Sequence, residues 1–324
     1  MAIKGFDPRW EDLPDYILGI TKEIWEDRKI ATLHQYYAET MPVRSPASLV
    51  IGNKNVIAAT MATLAEFPDR TLLGEDVIWS GNEDEGFLSS HRLLSQATHA
   101  RPGIYGAPTG KKLTYRILAD CACRNNQIYD EWLIRDQGAI VRQMGWDPKA
   151  FAADLIEREG GPELCVKPFT PEIDVNGGYS GRGNDHPVGK RYAEILSRIM
   201  AADMAVIPVE YDRAAQLELP GGVTGHGYGD ADQFWMGLRA ALPNAAFEIH
   251  HVIGRDDPEF SPRAAVRWSL TGKHEGWGVF GAPTGAEVHV MAISHAEFGP
   301  WGLRREYVLF DETAIWKQIL LKTG

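Results

Sequence analysis

The chain has 324 residues, 44% of them hydrophobic and 24% charged, and a formal net charge of −11. That is enough apolar material for two domains of ordinary size, and without a basic run it argues against nucleic acid or an anionic membrane surface as partner. No apolar run approaches the ~20 residues of a membrane span, and the N-terminal MAIKGFDPRWEDLPDY lacks the basic start and apolar core of a signal peptide; the expected setting is the cytoplasm and the expected partner a small molecule. Of three cysteines, Cys121 and Cys123 fall on one predicted strand facing the same way and Cys165 stands alone. An odd number without a second pair favours reduced thiols over disulfides or a zinc site.

Asp15 to Ala38 reads as a helix, with Ile17, Ile20, Ile24 and Trp25 on one side, followed by Leu33, Tyr36 and Tyr37. A second amphipathic helix, VIAATMATLAEFPD, is stopped by Pro68. The pattern then turns to β: Arg70–Ser80 and Gly86–His99, the turn Gly106-Ala107-Pro108-Thr109-Gly110, Lys111–Arg124 and Gln127–Asp136. A short helix, GAIVRQMG, closes the series with Asp136 at its N-cap.

The pentapeptide recurs at Gly281 to Gly285, 175 residues on, and the same offset matches Gly52 with Gly227, Pro68 with Pro243, Arg92 with Arg267, His99 with His274, Glu131 with Glu306, Asp136 with Asp311 and Gln143 with Gln318. A constant register joining residues of unrelated chemistry marks an internal duplication. The second copy accordingly reads as a helix over Gly189–Ala215, in which Tyr211 answers Tyr36, and a helix stopped by Pro243. Strands follow at Ala246–Gly254, Pro262–His274, Glu287–Phe298 and Leu303–Asp311, then the helix TAIWKQIL with Asp311 at its N-cap. The fold class is α+β: two repeats, each with helices covering one face of a curved antiparallel sheet. We place the first domain at residues 1–145, a connector at 146–190 and the second domain at 191–324. The connector is expected to hold one helix, Pro148–Arg158, and then the glycine-rich VNGGYSGRGNDHP, which reads as a linker or, since long ordered loops are often functional, as a lid.

The stretch THARPGIYGAPTGKKL, followed by a strand pair and a helix ending in RQMG, resembles the SnoaL-like polyketide cyclases of the nuclear transport factor 2-like superfamily, from about Tyr36 to Gly145. The second copy, from KHEGWGVFGAPTGAEV to WKQIL, resembles them more loosely. The resemblance implies two cones, each enclosing an apolar pocket with a few polar groups at its base. It implies proton transfer by a His and an Asp without metal or cofactor, and a sheet-to-sheet dimer that tandem duplication has made intramolecular, with a further homodimer left open. The family's catalytic His falls near Ala119 or Cys121 and near Ser294, and its Asp on Leu133 and Val308, so neither copy keeps the pair.

Other residues are therefore the candidates for chemistry. Glu131 and Glu306 share a strand face with the family's Asp position, and a carboxylate in an apolar pocket has its pKa raised towards neutrality, which suits it to abstract a proton beside a carbonyl. The plainer reading is a solvated pair at the mouth. His99 and His274 hold one slot before the GAPTG turn, where imidazole would orient or protonate a substrate oxygen or, more plainly, fix the turn. Asp120 and His295 flank the family's His position, on the outward face unless a bulge turns them in. Trp79, Tyr105, Trp132, Trp268 and Trp277, with His251, are candidates to line a site for a flat apolar substrate, core packing being the default for the aromatic five. No tight metal-ligand spacing occurs among the histidines, so no metal is expected. The reading is a cofactor-independent acid/base enzyme acting on a small apolar carbonyl compound by cyclisation, isomerisation or a lyase or hydrolase step, with one copy catalytic and the other structural. The alternatives are a binding or scaffold protein that keeps the cone, and a subunit that serves only to assemble.

Overall fold

Asp12 accepts a bond from the backbone N–H of Asp15, and Pro14 sits in the first turn, so the opening helix is capped at its start. This computed structural model describes residues 3–324, and in it α1 spans Leu13–Thr21, burying Leu13, Tyr16, Ile17 and Ile20. The single helix expected over Asp15–Ala38 is broken. A π turn at Lys22–Glu26 and a left-handed Arg28 separate α1 from a short α2, Leu33–Tyr36. Two short strands follow, β1 (Pro42–Ser45) and β2 (Ser48–Ile51), then α3 (Asn53–Glu66), β3 (Thr71–Asn82), β4 (Gly86–Thr98), β5 (Lys112–Arg124), β6 (Gln127–Arg135) and α4 (Gln137–Met144).

These strands form one six-stranded sheet in the order β2-β1-β6-β5-β4-β3. The expected antiparallel meander is β3 to β6, whereas β1 runs parallel to β6, so the sheet is mixed. The β1–β2 hairpin was missed because strands of four residues carry too little alternation to register. On one face of the sheet Phe87, Ala119, Cys121, Cys123 and Ile128 pack with Tyr16, Ile17, Ile20, Ile24, Leu33, Tyr36 and Tyr37 in one core.

The second unit repeats the order after its own extra helix, α5 (Pro148–Arg158): α6 (Pro187–Met200), α7 (Ile207–Glu210), β7 (Tyr211–Leu219), β8 (Val223–His226), α8 (Gly227–Ala241), β9 (Ala246–Arg255), β10 (Arg263–Lys273), β11 (Glu287–Gly299), β12 (Gly302–Leu309) and α9 (Glu312–Thr323). Its sheet order, β8-β7-β12-β11-β10-β9, is that of the first unit. Each unit is thus helices against a mixed six-stranded sheet, the α+β class. Tyr37 ends α2 and bridges Ile128, and Tyr211 ends α7 and pairs with Leu303. It is therefore Tyr37, and not Tyr36, that answers Tyr211. The slip of one residue arises in the hairpin turn, Pro46-Ala47 in the first unit and Pro220-Gly221-Gly222 in the second, with Gly221 and Gly222 at φ 82 and 71.

The closing helices explain one matched pair. The Gln143 side-chain amide bonds both the N–H and the C=O of Thr114, and Gln318 does the same to His289, completing the ladder of β5 and β11 beyond the end of their partner strands. The chain is assigned to two compact units, one running to Asp147 and including Phe169–Gly181, the other Pro148–Pro168 with Arg182–Gly324. Among the described residues no helix is long and apolar enough to cross a membrane.

Candidate active site

Strand register sets the site. Glu131 of β6 stands opposite Cys121 of β5 and Val43 of β1; Cys121 faces Ser89 of β4, and Ser89 faces Trp79 of β3. Trp79, Ser89, Cys121 and Glu131 therefore form one row across the face that α1 and α2 cover. The core on that face includes Tyr16, Tyr37 and Cys121, with Trp79 packed against it.

Burial is the main reason that the Glu131 carboxyl is pushed up to about 7, with a hydrogen bond from Tyr37 working against it and the charge of Asp130 adding to it. Its Oε2 is buried and has no hydrogen-bond partner among the described residues, and the same holds for the Tyr16 hydroxyl. Burial raises the Tyr16 and Tyr37 phenols well above the usual tyrosine range, so both stay protonated and can donate. In the neighbouring row of β4, His91 is held down to about 4 by burial, hence neutral, with its Nδ1 3.3 Å from the Ser89 hydroxyl. At ~4.8 Å per strand, His91 and Glu131 stand two strands, roughly 10 Å, apart across the sheet. The Cys121 and Cys123 thiols are free, buried and raised by burial and by the charge of Glu131; Cys123 donates to the Cys121 carbonyl oxygen. Such protonated thiols are poor nucleophiles.

In the second unit the corresponding row is Gly254, Ala264, Ala296 and Glu306. Burial raises Glu306 to about 7 as well, but both its oxygens are satisfied: Tyr192 donates at 2.8 Å and Tyr211 at 2.9 Å, and the Tyr211 oxygen accepts from the Trp235 indole at 3.2 Å. Gly254 stands in the place of Trp79. A Cβ there would lie 2.4 Å from the backbone N of Gly189, so α6 is seated directly on the sheet.

His99 and His274 are fully buried and hold the turns. In each, Nδ1 lies 3.1 Å from the threonine hydroxyl of GAPTG, Thr109 or Thr284, and the backbone carbonyl accepts from the closing glycine, Gly110 or Gly285. Because the Thr109 N–H donates to Nδ1 of His99, the proton of that ring is on Nε2, 3.2 Å from Glu66. Glu66 in turn accepts from the backbone of Ile104 and Tyr105. His99 lies ten residues beyond Ser89, roughly 33 Å of extended strand, so the structure does not bring it to Glu131; by the same count His274 is remote from Glu306. Tyr105 belongs to the His99 end, its hydroxyl bonded to Gln137.

Asp120 and His295 are fully buried on the opposite sheet face from Glu131 and Glu306, paired with Trp132 and Tyr307, and no bulge turns them inward. Trp132 lies on that opposite face, under the Arg44 guanidinium at 4.8 Å and beside the Tyr179 ring. His251 pairs with Arg267 on the equivalent face of the second sheet. Trp268 is core, bonded to Ser294 and packed on Trp235 and Phe247. Trp277 is 72% exposed on a loop. Of the twelve residues singled out from sequence, Glu131 and Trp79 share a row on the helix-covered face, and Asp120 and Trp132 share one on the opposite face. Sequence reasoning missed Tyr16, Tyr37, Ser89 and His91; the i, i+2 spacing of Ser89 and His91 along a strand was the available signal. Among the described residues no three His, Cys, Asp or Glu side chains gather as a metal site needs.

A mixed sheet with covering helices and a buried, partly unsatisfied carboxylate defines the first unit as a candidate acid/base site in an α+β frame. Residues 16–144 match the model of the SnoaL-like polyketide cyclase family. The first unit is a SnoaL-like domain, and the second repeats its fold in tandem. Solved structures similar to the chain include IdmH from Streptomyces antibioticus, with 21% identity, covering 41% of this chain and 98% of that one at a TM-score of 0.36. A SnoaL-like polyketide cyclase from Agrobacterium tumefaciens has 17% identity, 41% and 98% coverage and a TM-score of 0.33. TsrD from Streptomyces laurentii has 13%, 41%, 97% and 0.36. No curated protein matches the chain.

Proposed function

We propose that the first unit is a cofactor-independent enzyme acting on a small, largely apolar carbonyl compound, with Glu131 as the general base and the second unit in a structural role. The observation that carries this reading is the Glu131 carboxylate, poised at about 7 with one oxygen unsatisfied inside an otherwise apolar interior. A base with a pKa near the working pH is both populated and strong enough to remove a proton beside a carbonyl. The C–H proton passes to Glu131 and the electron pair moves onto the carbonyl oxygen. Tyr16, with an unused hydroxyl, is the donor placed to stabilise that enolate oxygen, and neutral His91 offers a second hydrogen bond. Return of the proton at another carbon gives isomerisation; attack of the enolate on a second carbonyl gives cyclisation. Trp79 supplies a flat apolar wall.

The test is thermal stabilisation and turnover across a panel of cyclic and linear keto compounds, with Glu131→Gln and Glu306→Gln alongside the wild type. Turnover that disappears in Glu131→Gln alone is expected. Ligands that bind all three proteins equally without turnover would replace the enzyme with a binding protein.

A further inference from the structure

The second unit fills its interior with two indoles that the first lacks. Trp235 of α8 and Trp268 of β10 are fully buried, their ring centroids 6.1 Å apart, inside one continuous apolar core. At the matched positions, 175 residues earlier, the first unit has Thr60 of α3 and Leu93 of β4. Strand pairing repeats the second match: Leu93 stands opposite Gly74 and Ile117 as Trp268 stands opposite Ile249 and Ala292. Thr60 and Leu93 are buried as well, so the smaller side chains also face the interior.

The space so vacated begins at the acid. In the second unit the Trp235 indole lies 3.2 Å from the Tyr211 hydroxyl, which bonds Glu306. Tyr37 answers Tyr211 and donates to Glu131, but a threonine at position 60 is too short to make the reach of an indole. From there the space follows the sheet to Leu93, four residues and roughly 13 Å along β4 from Ser89 in the Glu131 row. Large-to-small changes leave a void unless neighbours fill it. Ile117 and Tyr115, larger than their counterparts Ala292 and Val290, take back part of this one, and Leu18 of α1 covers Gly74, where a Cβ would lie 2.6 Å from the leucine. On the same face Ser89, His91 and Ser95 stand where the second unit has Ala264, Val266 and Leu270 in its core, and voids that stay empty are apolar ones. The packed core of the first unit stops short of this space: it takes in Ala119 and Leu133 but none of Leu64, Phe67, Leu93 and Ile117, all of them buried.

We propose that Thr60 and Leu93 set the depth of the substrate chamber in the first unit, and that a compact apolar body with the bulk of two fused rings enters the space that Trp235 and Trp268 fill in the second. The ligand completes the core in one copy as the indoles do in the other, its carbonyl end held beside Glu131 and its far end against Leu93. A side chain larger than threonine or leucine at either position shortens the chamber from that end. The inference rests on the first unit's interior being the substrate site, though not on turnover.

Two measurements on the whole protein test it, using wild type, Thr60→Trp and Leu93→Trp. The first is the melting curve. A tryptophan that enters vacant space is expected to leave the melting temperature unchanged or raise it, whereas one forced into a packed interior would lower it by about 5 °C or more. The second is titration with prodan, a neutral naphthyl ketone whose emission shifts to the blue in apolar surroundings. Wild type is expected to bind it, and each variant to bind it about tenfold or more weakly. Melting temperatures that fall in both variants, no binding of prodan by wild type, or binding untouched in either folded variant overturns the chamber. Prodan binding blocked by both tryptophans without turnover of any keto compound leaves the chamber standing and counts against catalysis; Glu131-dependent turnover that both tryptophan variants retain does the reverse.

Discussion

Glu131 and Glu306 occupy the same point of the same fold and burial raises both to about 7, but their surroundings have diverged. Around Glu306 two tyrosines and a tryptophan close a complete hydrogen-bond network, and Gly254 and Gly189 let the helix down onto the sheet. In the first unit one Glu131 oxygen and the Tyr16 hydroxyl have no hydrogen-bond partner among the described residues, and a tryptophan stands where the glycine would be. A fully satisfied buried acid is a structural device, and a partly satisfied one is a reactive device held at a cost in stability. The difference lies in the second ring of residues, since the acid itself is common to both copies.

The largest test of that comparison is kinetic. Glu131→Gln is expected to reduce kcat/KM by about 10²- to 10⁴-fold, the usual weight of a general base, while Glu306→Gln leaves kcat/KM nearly unchanged. A loss of activity in Glu306→Gln with Glu131→Gln spared would reverse the roles of the units.

Next in size is pH. A carboxyl at about 7 in the fold, against an ordinary 4.5, binds its proton more tightly folded than unfolded. Its favourable contribution is complete below about 4.5 and is lost as pH rises through 7, by on the order of a few kcal/mol for each glutamate. Melting curves between these limits should show wild type losing stability relative to Glu306→Gln; parallel curves would mean that Glu306 is not protonated in the fold.

Gly254→Ala should cost about 1–3 kcal/mol, because its methyl meets the Gly189 backbone. Denaturant unfolding measures it, and a neutral result would mean that α6 gives way easily. Removing one donor from Glu306 by Tyr192→Phe should cost about 1.5–3 kcal/mol. In the first unit Tyr16→Phe, which removes a hydroxyl with no partner among the described residues, should change stability by less than about 0.5 kcal/mol while lowering turnover. Equal costs at the two tyrosines would erase the contrast.

Much of the frame was legible in the chain. Eight long strands, the closing helices with their Asp136 and Asp311 caps, and the duplication itself follow from alternation and a constant offset. The β1–β2 hairpin and the break after α1 did not, because four-residue strands and a π turn leave no periodic trace. The site was legible only in part. Strand parity singled out Glu131, and Trp79 entered as an aromatic on a strand, but His99 attracted attention through a motif whose work is to hold a turn, and the pairing of distant elements that puts Tyr16, His91 and Glu131 on one sheet face is not written in local sequence.

The path of the connector bears on how the protein is made. Residues 148–168 belong to the second unit, where Lys317 of α9 pairs with Glu159, and residues 169–181 belong to the first, where Asp174 and the Val175 carbonyl complete the shell of Arg44 and the N–H of Tyr179 bonds Asp130. During synthesis the first unit cannot be finished until residue 181 has left the ribosome, and the segment made just before its last piece must wait for α9 near the end of the chain. Completion and translation are thus interleaved, and a gene cut after residue 147 would yield a first unit whose buried Arg44 and Asp130 lack half their shell.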